Sequence, residues 1–267
     1  MSNIQFPFEE QAKRRAITVL QDDWRKALRA SNKSGEPSES NVELFCTDGF
    51  YPYYFSQAVR VLFIGRESVS LAGRDYIDVL YNAYHCDDVG GHRLNEYPFH
   101  KRLLYLTYGL QHGGKIPFDD LPDVMELGKT FATKGGVSFA LIELSKYSNE
   151  RDDASDHRDL NLMTSFLQDT VCAKRLFMQE QIAMLQPHII VGMNLWGAGL
   201  NEKLIASVLG ETQFVSDAHK PAAVLCAINV QGKQVPFVDM YHFSSRKDTR
   251  SGYYEPLMDI GQQQFQI

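Results

Sequence analysis

Three polar side chains stand out because each follows or interrupts a run of apolar residues: Glu67 after VRVLFIG, Glu143 inside GVSFALIEL, and His242 closing VPFVDMYH. A carboxylate just past a buried strand can orient water, act as a general base or stabilise positive charge, although such a Glu is in general more often a helix cap or an ion-pair partner. Glu143 is the more unusual, because an unpartnered carboxylate in an apolar run is costly to bury. It has either a fixed partner or a function. His242 reads alone as a satisfied core histidine, but it opens the stretch HFSSRKDTR, residues 242 to 250, which carries three basic groups and one acid. Ser244, Ser245, Arg246, Lys247 and Arg250 could therefore grip phosphates, against the plainer reading of a solvated loop.

These groups can meet only if the runs that carry them lie side by side. The short, β-branched runs VRVLFIG, GVSFALIEL, PHIIVGM and VPFVDMYH end in Gly or polar residues and are separated by helix-length segments, the pattern of buried parallel strands. The pattern predicts an α/β fold: a three-layer α/β/α sandwich around a central, mainly parallel four-stranded sheet. AVLCAINV is expected to pair with the last strand as a hairpin across Gln231-Gly232-Lys233. A helix is expected from Asp169 to Leu185, and an amphipathic helix over residues 8 to 30, with Ala16, Leu20, Trp24 and Leu28 on its apolar face. With the polar SNKSGEPSES it makes a helical N-terminal extension and linker, residues 1 to 40, ahead of a domain over 41 to 267. Ligands of such sheets bind beyond the carboxyl ends of the strands, where all three polar groups fall.

The motifs Gly65-Arg66-Glu67-Ser68-Val69, Glu143-Leu144-Ser145-Lys146 and His242-Phe243-Ser244, with Leu185-Gln186-Pro187-His188-Ile189-Ile190-Val191-Gly192 as a third strand, resemble in order and spacing the uracil-DNA glycosylase superfamily over roughly residues 55 to 250. The resemblance implies a DNA glycosylase that hydrolyses the N-glycosidic bond of a flipped-out base. It implies Glu67 as the group that orients water and His242 as the donor to the departing base. Glu143, Ser68 and Val69 would contact the base; Ser244, Ser245, Lys247, Arg250 and Lys146 would contact DNA, and Arg246 would fill the vacated stack. Among the aromatics Phe50 to Phe55, otherwise packing residues, Tyr54 is the one expected in the pocket.

The departures point to the base. Glu67 stands where the family has Asp or Asn, Ser68 where it has Pro, Val69 where some members have Tyr, and Glu143 where it has Asn. An ionised Glu143 is acceptor-only, which suits the exocyclic amine of cytosine and opposes a uracil carbonyl. Loss of bulk at 68 and 69 leaves room at C5. The expected substrate is a 5-modified cytosine of phage DNA, and the role is defence. The alternatives are repair of uracil or another deaminated base, and an inactive nucleic-acid-binding module on the same fold.

A net charge of −6 opposes a protein that coats nucleic acid, but not one with a local basic strip. Cys46, Cys86, Cys172 and Cys226 form no C-x-x-C pair and the eight histidines no metal-ligand spacing, so no metal and no cofactor are expected. Neither G-x-G-x-x-G nor a P-loop is present, which opposes a nucleotide-using enzyme. The opening residues do not read as a secretory signal and no apolar run approaches about 18 residues. The expectation is a soluble, cytoplasmic monomer whose partner is DNA, duplex or single-stranded, with no membrane partner.

Overall fold

The computed structural model describes residues 4–31, 39–150 and 160–265; most of the expected linker lies outside them. Among the described residues seven strands form one mixed sheet: β1 (Gly49–Phe50), β2 (Val61–Val69), β3 (Ala140–Asn149), β4 (Ile189–Met193), β5 (Thr212–Ser216), β6 (Ala223–Val230) and β7 (Lys233–Met240). Their order is β1-β3-β2-β4-β7-β6-β5. The four strands expected from sequence are its contiguous parallel centre, β3-β2-β4-β7. The expectation of a four-stranded, mainly parallel sheet is nevertheless corrected, because β1, β6 and β5 add antiparallel pairings at both edges. β6 and β7 form the anticipated hairpin, turning on Gln231 and Gly232, both at positive φ, as a tight two-residue turn requires. β1 is too short to show a period, and β5 leaves Phe214 and Val215 exposed, so neither announces itself in the sequence.

Alternation along the strands divides the core in two. Phe63, Leu141, Val191 and Val238 face α3 (Tyr76–Cys86), α4 (Pro98–Gln111), α5 (Val124–Thr130) and α9 (Glu255–Gln264). Leu62, Ile64, Ile142, Ile190 and Phe237 face α1 (Phe8–Ser31), α6 (Leu160–Cys172), α7 (Phe177–Leu185) and α8 (Glu202–Leu209); a short helix, α2 (Glu39–Val42), precedes β1. The layers are thus helix, sheet, helix.

The buried stripe of α1 is Ile17, Leu20, Trp24 and Leu28, so three of the four expected residues lie on it and Ile17 takes the place of the exposed Ala16. Trp24 stacks on Phe177 with ring centroids 5.3 Å apart, and its indole N–H donates to Thr170 Oγ1 at 3.2 Å. The Glu10 carboxylate accepts the backbone N–H groups of Tyr53 and Phe55, both at 2.8 Å. These bonds tie α1 to the segment after β1. The single helix expected over 169 to 185 is two, broken where Lys174 takes a left-handed conformation. Among the described residues no helix is long and apolar enough to cross a membrane.

Candidate functional site

A cleft of about 260 Å³ opens at the carboxyl ends of β2, β3 and β7. Arg66, Glu67 and Val69 reach it from β2, Glu143 from β3, and His242 and Ser244 from the segment after β7; the rest of the wall includes Tyr76 and Leu80 of α3 and Tyr97, Phe99 and His100 around the start of α4. Parallel pairing sets Gly65 opposite Glu143 and Glu67 opposite Ser145, which places the two carboxyl side chains on neighbouring strands at the same end of the sheet.

Glu143 is buried, with only 4 % of its surface exposed. Its Oε2 is enclosed and has no hydrogen-bond partner. Burial above all, and then the Asp48 and Glu67 carboxylates, hold its pKa above the ordinary carboxylate range, against the opposing pull of Lys146 and Arg66. The shift favours the protonated form, in which a carboxyl group both donates and accepts, whereas the acceptor-only role expected of Glu143 from sequence belongs to the ionised form. A Cβ at position 65 would overlap its carboxyl group, which is why glycine stands there.

Beneath it lies a buried polar network. Lys146, fully buried, pairs with Asp48 Oδ2 at 2.5 Å, and the same oxygen accepts the Glu143 backbone N–H at 2.8 Å. Asp48 Oδ1 accepts from the side-chain amides of Gln21 at 3.0 Å and Gln181 at 2.8 Å. Lys146 is thus a structural cation facing α1 and α7, not a DNA contact, a second correction to the sequence expectation. It is three residues beyond Glu143, so strand alternation sends it to the opposite face.

Two expected base contacts also lie elsewhere. Ser68 is buried beside Cys46, whose thiol burial pushes up to about 12, because alternation turns it away from the cleft that Glu67 and Val69 line. Tyr54 is fully buried on the α1 side of the sheet against Phe50 and Phe55, at 5.9 and 5.0 Å between centroids. The ring faces of the cleft come instead from Tyr76, Tyr97 and Phe99.

The segment after β7 is held in shape from within. His242 lies 6.1 Å from Phe99 between ring centroids, its Nδ1 accepts the Ser244 N–H at 3.3 Å, and its carbonyl accepts from the Ser245 backbone N–H and the Tyr253 hydroxyl, both at 2.8 Å. The Ser245 hydroxyl is 2.5 Å from that of Tyr253 and so is already engaged. Arg250 bridges Asp119 and Glu255, at 2.8 and 2.5 Å. Ser244, Arg246 and Lys247 are exposed, with the Lys247 ammonium 5.0 Å from the centre of the Tyr241 ring. Arg250 is thus engaged in ion pairs, while His242 and Ser244 are the residues of the strip that line the cleft.

Sequence reasoning missed Arg102. This buried guanidinium on α4 donates to three carbonyls of the segment, those of Phe243, Ser245 at 2.8 Å and Lys247 at 2.5 Å, and lies 4.0 Å from the centre of the Tyr253 ring. A single Arg within the apolar KRLLYLTYGL was the available signal. His100 was missed as well. Its Nδ1 meets the Tyr84 hydroxyl at 2.8 Å, and burial lowers it to about 3, so the ring is neutral. Asp239 anchors the turn after β4 by accepting the N–H groups of Leu195 and Trp196, at 2.9 and 3.4 Å.

A larger cleft, about 800 Å³, lies where the β6–β7 turn meets α7, and its wall is mainly side-chain amides and the Arg175–Glu180 ion pair. It brings together no acid–base pair comparable to Glu67, Glu143 and His242. Among the described residues no group of three His, Cys, Asp or Glu side chains could hold a metal ion. No family model matches this chain, no curated protein matches it, and no solved structure matches it.

Proposed function

We propose that this protein is a DNA glycosylase of the uracil-DNA glycosylase type, hydrolysing the N-glycosidic bond of a base flipped into the cleft. The observation that carries this reading is the convergence of Glu67, Glu143, His242 and Ser244, distant in sequence, in one ring-walled cleft at the carboxyl ends of three strands of the parallel centre. At about 260 Å³ the cleft falls below the roughly 300–1,000 Å³ of pockets for drug-sized ligands, a size suited to one base rather than a whole nucleotide.

In this reading Glu67 takes a proton from water as the oxygen bonds to the sugar carbon. The carbon–nitrogen bond breaks with its electron pair passing to the base, and His242 hydrogen-bonds the oxygen on which negative charge grows. Tyr97 and Phe99 offer ring faces to the flipped base. Ser244, Arg246 and Lys247 take the phosphates beside the cleft, with Arg246 entering the gap; this confines contact to a small basic rim on an acidic protein. Val69, at the mouth and 48 % exposed, leaves room for a substituent at C5, which favours a 5-modified cytosine and a role in defence against phage.

The test is incubation with DNAs carrying uracil, hypoxanthine, 5-substituted cytosines and natural phage modifications, followed by mass spectrometry of released bases. Release of a 5-modified cytosine, lost at least about 100-fold in Glu67→Gln with DNA binding kept, is expected. DNA binding with no base released from any substrate would leave an inactive binding module.

A further inference from the structure

We infer that His100 is a specificity-determining donor of the cleft: Tyr84 holds its imidazole in the neutral form with the proton on Nε2, and that N–H meets a ligand atom that accepts a hydrogen bond. The inference rests on the cleft being the ligand site, as the glycosylase reading has it. His100 belongs to α4, lines the cleft beside Tyr97 and Phe99, and is 6 % exposed. Its Nδ1 lies 2.8 Å from the Tyr84 hydroxyl. The other ring nitrogen, Nε2, has no hydrogen-bond partner among the described residues, yet it is not enclosed as Glu143 Oε2 is.

Counting protons fixes the state of the ring. Tyr84 is buried in the core, and among the described residues the imidazole is the one hydrogen-bond partner of its hydroxyl. Were Nδ1 protonated, as in the other tautomer or in the charged ring, the phenol proton would be left buried without an acceptor. The hydroxyl therefore donates, Nδ1 accepts, and the single ring proton sits on Nε2. Burial, which lowers the group to about 3, acts in the same direction. Three uncharged rings, Tyr84, Tyr97 and Phe99, pack around it at 5.4, 5.1 and 5.0 Å between centroids and fix the direction of the N–H.

A fixed donor selects what it meets. Phe99 touches both imidazoles, with His242 at 6.1 Å, and in a cleft of about 260 Å³ one ring-sized ligand reaches both. His100 addresses that ligand from the helical wall, whereas Glu67 and Glu143 rise from the sheet. A ligand with a carbonyl oxygen or an unprotonated ring nitrogen on that side pairs with the N–H. One that presents only carbon there leaves a buried donor unmatched, and such a mismatch discriminates more strongly than a lost apolar contact. The ligand class is therefore a planar ring with an acceptor on the edge facing α4.

The test is nuclear magnetic resonance on protein labelled with ¹⁵N-histidine. At neutral pH the ring correlations of His100, identified by their loss in His100→Gln, should have the pattern of the Nε2–H tautomer. In Tyr84→Phe, where Nδ1 loses its donor, that pattern should give way to a mixture of tautomers. Titration with free uracil, cytosine and 5-methylcytosine should shift the His100 Nε2 signal, and benzene, a ring with no acceptor at its edge, should not. His100→Gln, whose amide nitrogen reaches the place of Nε2, should bind the bases within about threefold of wild type. His100→Asn, whose polar atoms end at the place of Nδ1, should bind them about tenfold more weakly, the scale of one buried hydrogen bond. The Nδ1–H tautomer or a charged ring in wild type, failure of all three bases to bind, base binding that leaves the His100 signals unmoved, or wild-type affinity in His100→Asn would overturn the inference. Base binding with the expected signatures but no base released from any DNA would leave it standing and overturn the glycosylase reading. Release of a base from DNA by His100→Asn at the wild-type rate and affinity would do the reverse.

Discussion

Gly65 and Glu143 face each other across the parallel pairing of β2 and β3, and the Glu143 carboxyl occupies the space that a side chain at 65 would need. One residue is small so that the carboxyl group of the other can lie flat against the strand, with Oε2 enclosed there. Gly65→Ala should therefore displace the carboxyl while leaving the fold in place. The expected overpacking cost is about 1–3 kcal/mol in urea unfolding, with base affinity reduced at least about tenfold. Unchanged affinity in a folded Gly65→Ala protein would show that the position of the Glu143 carboxyl is not what binds.

Arg102 reaches three carbonyls from one planar group, which a lysine ammonium cannot do with the same spread. Arg102→Lys should loosen the His242–Lys247 segment. Trypsin should then cleave after Arg246 and Lys247 faster than in wild type, and, on the glycosylase reading, kcat should fall as well as KM for DNA rise, because the segment carries His242 together with the phosphate-binding residues. Equal cleavage rates in the two proteins would make Arg102 a packing residue only.

The Lys146–Asp48 pair is buried on both sides. Removing one member strands the other's charge, at a cost of about 3–5 kcal/mol. Asp48→Asn and Lys146→Met should each lose stability on that scale in urea unfolding, and the double variant should recover part of it. The salt dependence of DNA binding should be the same in a folded Lys146→Met protein as in wild type. A smaller slope against salt would return Lys146 to the DNA surface.

How much of this was legible follows from what each signal measures. The parallel centre was readable because β2, β3, β4 and β7 each contain a short apolar, β-branched run. Glu67, Glu143 and His242 were readable because each is a polar residue where such a run ends or breaks. Lys146 and Ser68 were misplaced although alternation already assigned them the other face: Lys146 shares parity with Leu144, and Ser68 with Ile64. The irregular register between Glu67 and Val69 then makes side-chain direction at the strand ends harder to carry over from motif order. Asp48 and Arg102 hold the site through contacts with residues about 100 and 140 positions away, and no local pattern encodes such partners. The raised pKa of Glu143 was illegible for the same reason, since burial and the nearness of Asp48 are properties of the folded chain.

Asp239 offers a titration that can be followed through stability. Burial raises its carboxyl from 3.8 to about 6, against the lowering influence of the Leu195, Trp196 and Asn194 N–H groups and of Arg66. Cys226 lies close enough to feel its charge. Between these two values the folded protein holds the proton more tightly than the unfolded chain does. The sign follows from proton linkage: where the folded state binds more protons, stability falls as pH rises. Asp239 thus contributes a loss of stability that begins near pH 4 and is complete above about 6. Asp239→Asn cannot ionise, yet its carbonyl oxygen still accepts one of the two N–H bonds. The difference in unfolding free energy, wild type minus Asp239→Asn, should therefore fall as pH rises from 4 to about 6 and level off above, whatever the other carboxylates do in both proteins. Urea unfolding of the pair across that range measures it. A flat difference, or one that rises with pH, would show that the Leu195 and Trp196 N–H groups hold the Asp239 charge more strongly than burial opposes it.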